Sequence, residues 1–87
     1  MFYKQVGLVM KVQKHLQNRN WHKAAMYFVA LAQRDGRPTE GAALATMNEL
    51  KALGFKFKAS PQGDVVAITP EGRVYDGKEV LAAWNAA

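Results

Sequence analysis

Apolar residues recur at helical spacing through the first half of the chain. In residues 2–18 they gather on one side of a helical wheel and lysines on the other, which predicts an amphipathic helix. Its predicted buried residues are Phe2, Val6, Val9, Met10, Val12 and Leu16. A second helix is predicted over 21–34, with Asn20 as its N-cap and Gly36 at its end. The short link between the two helices predicts an antiparallel helical hairpin.

Two more amphipathic faces follow from the same spacing. The second helix is expected to bury Trp21, Ala24, Ala25, Phe28, Leu31 and Ala32, and to expose His22, Lys23, Met26, Ala30 and Arg34. A third helix is predicted over 40–53, capped by Thr39 and ended by Gly54. Its predicted inward residues are Ala43, Leu44, Met47, Leu50 and Leu53.

The pattern changes to period two after the third helix. Two short alternating or β-branched runs, 55–59 and 65–69, flank a turn at 60–64, which predicts a β-hairpin. Residues 70–72 are interpreted as another turn. Asp76 and Glu79 form a capping-box pattern that opens a last helix over 77–86, with Val80, Leu81 and Trp84 on one face. The predicted order is three helices, two strands and a closing helix, an α+β fold.

Length and composition indicate one small domain over residues 1–87, divided into a basic helical hairpin (1–37) and the helix, hairpin and closing helix that follow (38–87). A chain of 87 residues buries a modest core, so a homodimer or a partner would add stability. Cysteine is absent, which fits a cytoplasmic location and leaves no disulfide or zinc ribbon. No segment has the pattern of a signal peptide or a membrane span.

The net positive charge of the chain comes entirely from the first 37 residues. Seven basic residues there face a single acid, Asp35, whereas residues 38–87 carry five basic and six acidic residues, which together give the net charge of +5. So many positive charges with only one negative charge among them favour binding to a polyanion or to an acidic protein surface. An ordinary solvated helix face is the simpler interpretation of the same lysines.

The second half resembles the winged helix-turn-helix family, including MarR-type and PadR-type repressors, over residues 20–75. The residues that carry the resemblance are Leu50, Leu53, Gly54, Asp64, Ile68, Thr69 and Gly72. The resemblance implies that helix 40–53 enters the DNA major groove and that Lys56, Lys58 and the tip 60–64 contact phosphates or the minor groove.

The outward face of helix 40–53 departs from that family. Its residues are small or acidic: Glu40, Gly41, Ala42, Ala45, Asn48, Glu49 and Ala52. Of these, only Asn48 can reach a base edge with hydrogen bonds, and the two glutamates repel phosphate. Such a face is better suited to packing against a protein. Residues 46–86 are also similar to the αββα docking domains of modular polyketide and peptide synthases, which implies a hairpin that binds a partner's tail.

Residues with catalytic potential are isolated from one another in the sequence. His15 and His22 flank a predicted turn with no cysteine and no acid close by, and Ser60 lies in a turn. Surface and turn positions explain them more simply than a metal site, a general base or a nucleophile. We therefore expect no enzyme, no cofactor and no metal. Tyr3, Tyr27 and Tyr75 lie at the edges of their predicted faces, where they can stack bases or be half-buried.

Two functions remain as predictions. The first is a non-enzymatic DNA- or RNA-binding regulatory or accessory protein that contacts phosphates through the basic helical face and the wing. Its predicted contacts are Lys4, Lys11, Lys14, Arg19, Lys23, Arg34, Arg37, Lys56 and Lys58. The alternative is a protein–protein adaptor or inhibitor that docks on an acidic partner. Its predicted contacts are Gly41, Ala42, Ala45, Asn48 and Glu49.

Overall fold

The structure, a computed structural model, describes residues 2–86, with side chains from residue 7 onward. The four helices are α1 (Phe2–Gln17), α2 (Trp21–Asp35), α3 (Gly41–Ala52) and α4 (Gly77–Ala86). The three strands are β1 (Lys56–Ala59), β2 (Val65–Ile68) and β3 (Val74–Asp76). They form one antiparallel sheet in the order β1-β2-β3. The predicted α+β class and the predicted β-hairpin are confirmed.

Helix α2 lies at the centre of the molecule. It packs against α1 on one side, α4 on another and the sheet on a third. Its buried residues are Ala24, Ala25, Phe28, Val29, Ala30, Leu31 and Ala32. The prediction that Ala30 is exposed was therefore wrong, because the closing helix covers the side of α2 that a two-sided helix would leave in solvent.

Two similar motifs end α1 and α3. After α3, Gly54 N–H donates to Lys51 O and Phe55 N–H donates to Leu50 O, with Gly54 at φ +103°. After α1, Arg19 and Asn20 make the equivalent bonds to Leu16 O and His15 O. Both are Schellman motifs, which require a left-handed residue at the first position beyond the helix. Arg19 occupies that position at φ 55°.

Three details of the predicted helices were wrong. Met10 is 63% exposed, because Leu8, Val9, Val12 and Leu16 form the buried stripe of α1 and Met10 lies about 150° round from its centre. Leu53 is 45% exposed because it lies beyond the last turn of α3. The N-cap of α3 is Glu40 and not Thr39, and Glu40 makes no capping hydrogen bond with its side chain. The predicted inward side chains of Phe2 and Val6 lie outside the described residues.

The third strand, β3, was missed because residues 70–72 were interpreted only as a turn before the last helix. The two turns of the sheet follow one pattern, in which Ser60 and Thr69 each precede a proline and Gly63 and Gly72 each adopt positive φ. The Ser60 and Thr69 hydroxyls accept hydrogen bonds from Asp64 N and Arg73 N, at 3.1 and 3.0 Å. The shared pattern therefore marks two hairpins and not one.

The amide of Gln33 joins α2 to the second strand. Its Oε1 accepts from Val65 N at 2.8 Å and its Nε2 donates to Asp64 Oδ1 at 3.1 Å. Gly77 at the start of α4 lies against the same group, since a Cβ there would be 2.8 Å from Val65 O and 2.9 Å from Gln33 Oε1. The α2–sheet–α4 junction therefore has room for glycine alone.

We expect Gly77→Ala to lower the free energy of unfolding by about 1–3 kcal/mol, because the added methyl group collides with backbone and with the Gln33 amide. Gly7→Ala is the matched control, because Gly7 lies in α1 and no atom is within 4 Å of the new methyl group. This change should raise the free energy of unfolding by about 0.5–1 kcal/mol. Urea denaturation measures both. Equal midpoints for Gly77→Ala and the unmodified chain would contradict this packing.

Candidate functional site

Three lysines from two helices carry charges that act on one imidazole. Lys11, Lys14 and His15 lie on the same side of α1 at helical i, i+3 and i+4 spacing, and Lys23 reaches them from the first turns of α2. Asn20 fixes the start of α2, since its side chain accepts a hydrogen bond from Lys23 N at 3.2 Å. We call Lys11, Lys14 and Lys23 the lysine cluster.

The pKa of His15 reflects these charges. Partial burial lowers the pKa of His15 from its usual 6.5, and the positive charges of Lys23, Lys14 and Lys11 lower it further. No carboxylate among the described side chains opposes this shift. His15 is therefore a neutral ring at neutral pH, within a positive field.

An aromatic row runs from the lysine cluster toward α4. His15 stacks on Tyr27 with ring centroids 5.4 Å apart and planes 3° from parallel. The Trp84 ring meets Tyr27 edge-on at 5.3 Å, and Lys11 Nζ lies 5.5 Å from the Tyr27 centroid. We use the name aromatic row for His15, Tyr27 and Trp84. It combines a cation–π contact with partly exposed rings.

Two recesses flank Trp84, which is 40% exposed. On one side, between α2 and α4, is an open groove of about 490 Å³ lined by Met26, Tyr27, Glu79, Val80, Ala83 and Trp84. On the other is a recess of about 220 Å³ lined by Leu8, Ala30, Arg34, Leu81, Trp84 and Asn85. The sequence placed Trp84 on the packing face of the last helix; the structure leaves much of its ring accessible.

The remaining predicted basic contacts lie elsewhere. Arg34 is engaged by Asp35 through two hydrogen bonds of 2.9 and 2.8 Å, and the bond from Arg34 lowers the pKa of the Asp35 carboxyl. Arg37 and Lys58 meet Lys51, which the prediction omitted, around an apolar cavity of about 140 Å³ between α2, α3 and β1. Lys56 is exposed on β1, and the Lys4 side chain lies outside the described residues.

Arg19 lies in a polar recess at the α1–α2 turn. The recess is lined by Asn18, Arg19, Asn20, Trp21, His22, Glu71 and Arg73. His22 makes a side-chain hydrogen bond with Tyr75 here, which ties the turn to β3. An arginine in the left-handed region carries a backbone cost that glycine would avoid, so its side chain is a candidate for a role beyond folding.

The five predicted protein-binding residues of α3, Gly41, Ala42, Ala45, Asn48 and Glu49, are all exposed. Helix α3 packs chiefly on α1, where Gln13 Nε2 donates to the buried Thr46 hydroxyl at 3.1 Å. The apolar cavity separates part of α3 from α2, although Met47 and Leu50 share one hydrophobic core with Phe28 and Leu31. The order of elements is nevertheless compatible with a winged-helix-like topology.

A scan against protein-family models finds no match, and searches of the curated proteins and of the solved structures find none either. None of the helices in the described range is long and apolar enough to cross a membrane. Among the described side chains, no three histidines or carboxylates lie together as metal ligands would.

We expect Lys23→Gln to raise the pKa of His15, because it removes the strongest of the three charges that oppose protonation of the ring. An NMR titration of the His15 ring protons measures this change. Lys78→Gln removes the same charge from α4, outside the groups that act on His15, and should leave the His15 pKa unchanged. Equal His15 pKa values in Lys23→Gln and the unmodified chain would show that Lys23 does not face the ring.

Proposed function

We propose that this chain is a non-enzymatic nucleic-acid-binding protein, of a regulatory or accessory kind, that holds the phosphate backbone with the lysine cluster. The observation that carries the proposal is that Lys11 Nζ lies 5.5 Å from the Tyr27 ring on which His15 stacks, while Lys14 and Lys23 lie near enough to lower the pKa of His15 and no described carboxylate opposes them. Phosphates supply the missing negative charge, and release of their counterions drives binding. The cysteine-free sequence makes the cytoplasm the compartment we propose.

Base-edge readout has little part in this proposal. The exposed face of α3 carries Gly41, Ala42, Ala45 and Glu49, and the exposed α3 groups able to read a base edge are Asn48 and Lys51, of which Lys51 lies beside the apolar cavity. Arg19, Arg37, Lys56 and Lys58 are exposed and can add phosphate contacts at the edges of the surface. Arg34 is withdrawn from the predicted contacts because its charge is already paired with Asp35.

The first test is charge reversal in the lysine cluster. Lys11→Glu with Lys14→Glu should weaken a gel shift at ~50 mM salt by roughly 100-fold or more, because two of the three lysine contacts with phosphate become repulsive. For the unmodified chain, contacts from the three lysines and Arg19 give a log–log salt slope of about −3 to −4. Lys78→Glu reverses a single charge on α4, half the change of the double variant, and should bind normally. Failure of the unmodified chain to shift duplex DNA, single-stranded DNA or RNA would refute the proposal.

Arg19 provides a second test that separates binding from folding. Arg19→Gly should raise the free energy of unfolding by about 0.5–1 kcal/mol, because glycine suits the left-handed position that ends α1. The same change should weaken oligonucleotide binding and reduce the salt slope by about one unit. Arg19→Lys keeps the charge and should retain binding. Thermal or urea unfolding with a filter-binding titration checks both; unchanged binding in Arg19→Gly would exclude Arg19 from the interface.

A protein adaptor is the second candidate function. It is favoured by full exposure of the small-residue face of α3, which a partner can approach closely. In that case Ala45→Arg should abolish capture of a partner in a pull-down that survives nuclease treatment, while the fold stays intact. If nucleic acid is the partner, Ala45→Arg should leave the gel shift unchanged.

A further inference from the structure

We propose that the preferred ligand is single-stranded nucleic acid, with an unpaired base stacked on Trp84 while its neighbouring phosphates meet the lysine cluster. This inference rests on the proposed function and adds the class of strand and the group that recognises it. The inference is based on the aromatic row. At one end of the row is His15, next to the lysine cluster, and at the other end is Trp84, which lines two recesses.

Trp84 has a ring face to offer. It is 40% exposed and is not stacked face to face on Tyr27, since the two ring planes are 71° apart. The residues of the α2–α4 groove beside it are mainly apolar, with Met26, Val80 and Ala83 as walls. A planar, partly apolar base fits such a recess, and every base has a face that can stack.

The spacing matches a strand that bends from the groove onto the lysines. Lys11 Nζ lies 5.5 Å from the Tyr27 centroid, and Trp84 lies 5.3 Å beyond it, so the ammonium and the indole are within about 11 Å of each other. Tyr27 and His15 cover the intervening surface with aromatic rings. A base and the phosphates of adjacent nucleotides can occupy the two ends together.

Glu79 sets the direction of the strand. It is the acidic residue of the groove and lies in the first turn of α4. Its carboxylate repels phosphate from the groove but can accept a hydrogen bond from a base amino group. Phosphates are therefore directed to the lysines, and the base is directed into the groove.

A duplex cannot use this arrangement, because its bases already stack on one another and expose only their edges in the grooves. The exposed residues of α3 offer few groups to read those edges, namely Asn48 and Lys51. Stacking on an exposed tryptophan thus gives a reason to prefer unpaired bases, and it acts on any base.

The test uses fluorescence of a chain in which Trp84 is the sole tryptophan, since Trp21 is the only other one. Trp21→Phe is titrated with a dT oligonucleotide, an abasic oligonucleotide of equal length and a duplex. We expect quenching of Trp84 by dT and about 5- to 150-fold tighter binding of dT than of the abasic strand. In the Trp21-containing chain, Trp84→Ala should lose that preference with its salt slope unchanged, and Trp84→Phe should keep most of it.

Three outcomes overturn the inference. Equal affinity for dT and the abasic strand, without quenching, would leave phosphate binding intact and remove the base-stacking site. Tighter binding of a poly-glutamate peptide than of dT would assign the groove and lysines to an acidic protein. Binding of none of these probes would overturn the proposed function as well. Circular dichroism of each variant shows that the fold is retained, and the Trp21→Phe titration needs no change at Trp84.

Discussion

Burial of α2 on nearly every side is the constraint from which the rest of the structure follows. A helix can be covered by two helices and a sheet only if its surface allows them to approach closely. Four alanines, Ala24, Ala25, Ala30 and Ala32, provide that approach, and Phe28 and Leu31 fill the space between the layers. Only the ends of α2 and a narrow strip facing the α2–α4 groove remain for surface chemistry, so the candidate site lies at the N-terminal end and along that strip.

Polar contacts then fix how the layers are arranged. Gln33 connects α2 to Asp64 and Val65, and Gly77 allows α4 to begin against that same connection. This junction orients α4 so that Trp84 reaches Tyr27, and the α1–α2 hairpin brings His15 onto the other side of Tyr27. The aromatic row therefore depends on contacts far from it in sequence, and a change at the junction would move the rings apart.

Much of the fold could be predicted because it depends on local signals. Asn20, Gly54 and Asp76 have the expected positions at helix ends, and Asp76 accepts a hydrogen bond from Lys78 N at 3.0 Å. Burial of Ala30 could not be predicted, because it depends on the closing helix returning to α2. The third strand could have been predicted, since residues 69–72 repeat the serine- or threonine-proline pattern of the first turn.

The site was predictable in composition but not in arrangement. The sequence identified a basic front half and Tyr27 as a candidate stacking residue, but helical spacing alone assigned Trp84 to the core. The basic residues are separated into groups by the tertiary structure, which a helical wheel does not show. Lys23 and Arg37, for example, lie at opposite ends of α2, about 20 Å apart. Arg34 forms an ion pair with its own neighbour, Asp35. The basic residues that form one continuous stripe on a helical wheel are therefore divided in the structure, where only Lys11, Lys14 and Lys23 form the lysine cluster.

The most direct measurement of the central claim is an amide chemical-shift titration of the 15N-labelled chain with a short single-stranded oligonucleotide at low salt. The account predicts that shifts concentrate at Lys11, Lys14, His15, Lys23, Tyr27 and the Trp84 indole N–H, and fade as salt is added. The outward face of α3 should remain unperturbed. Shifts centred on Ala45 and Asn48 with none at the lysine cluster, or no shifts at all, would contradict it.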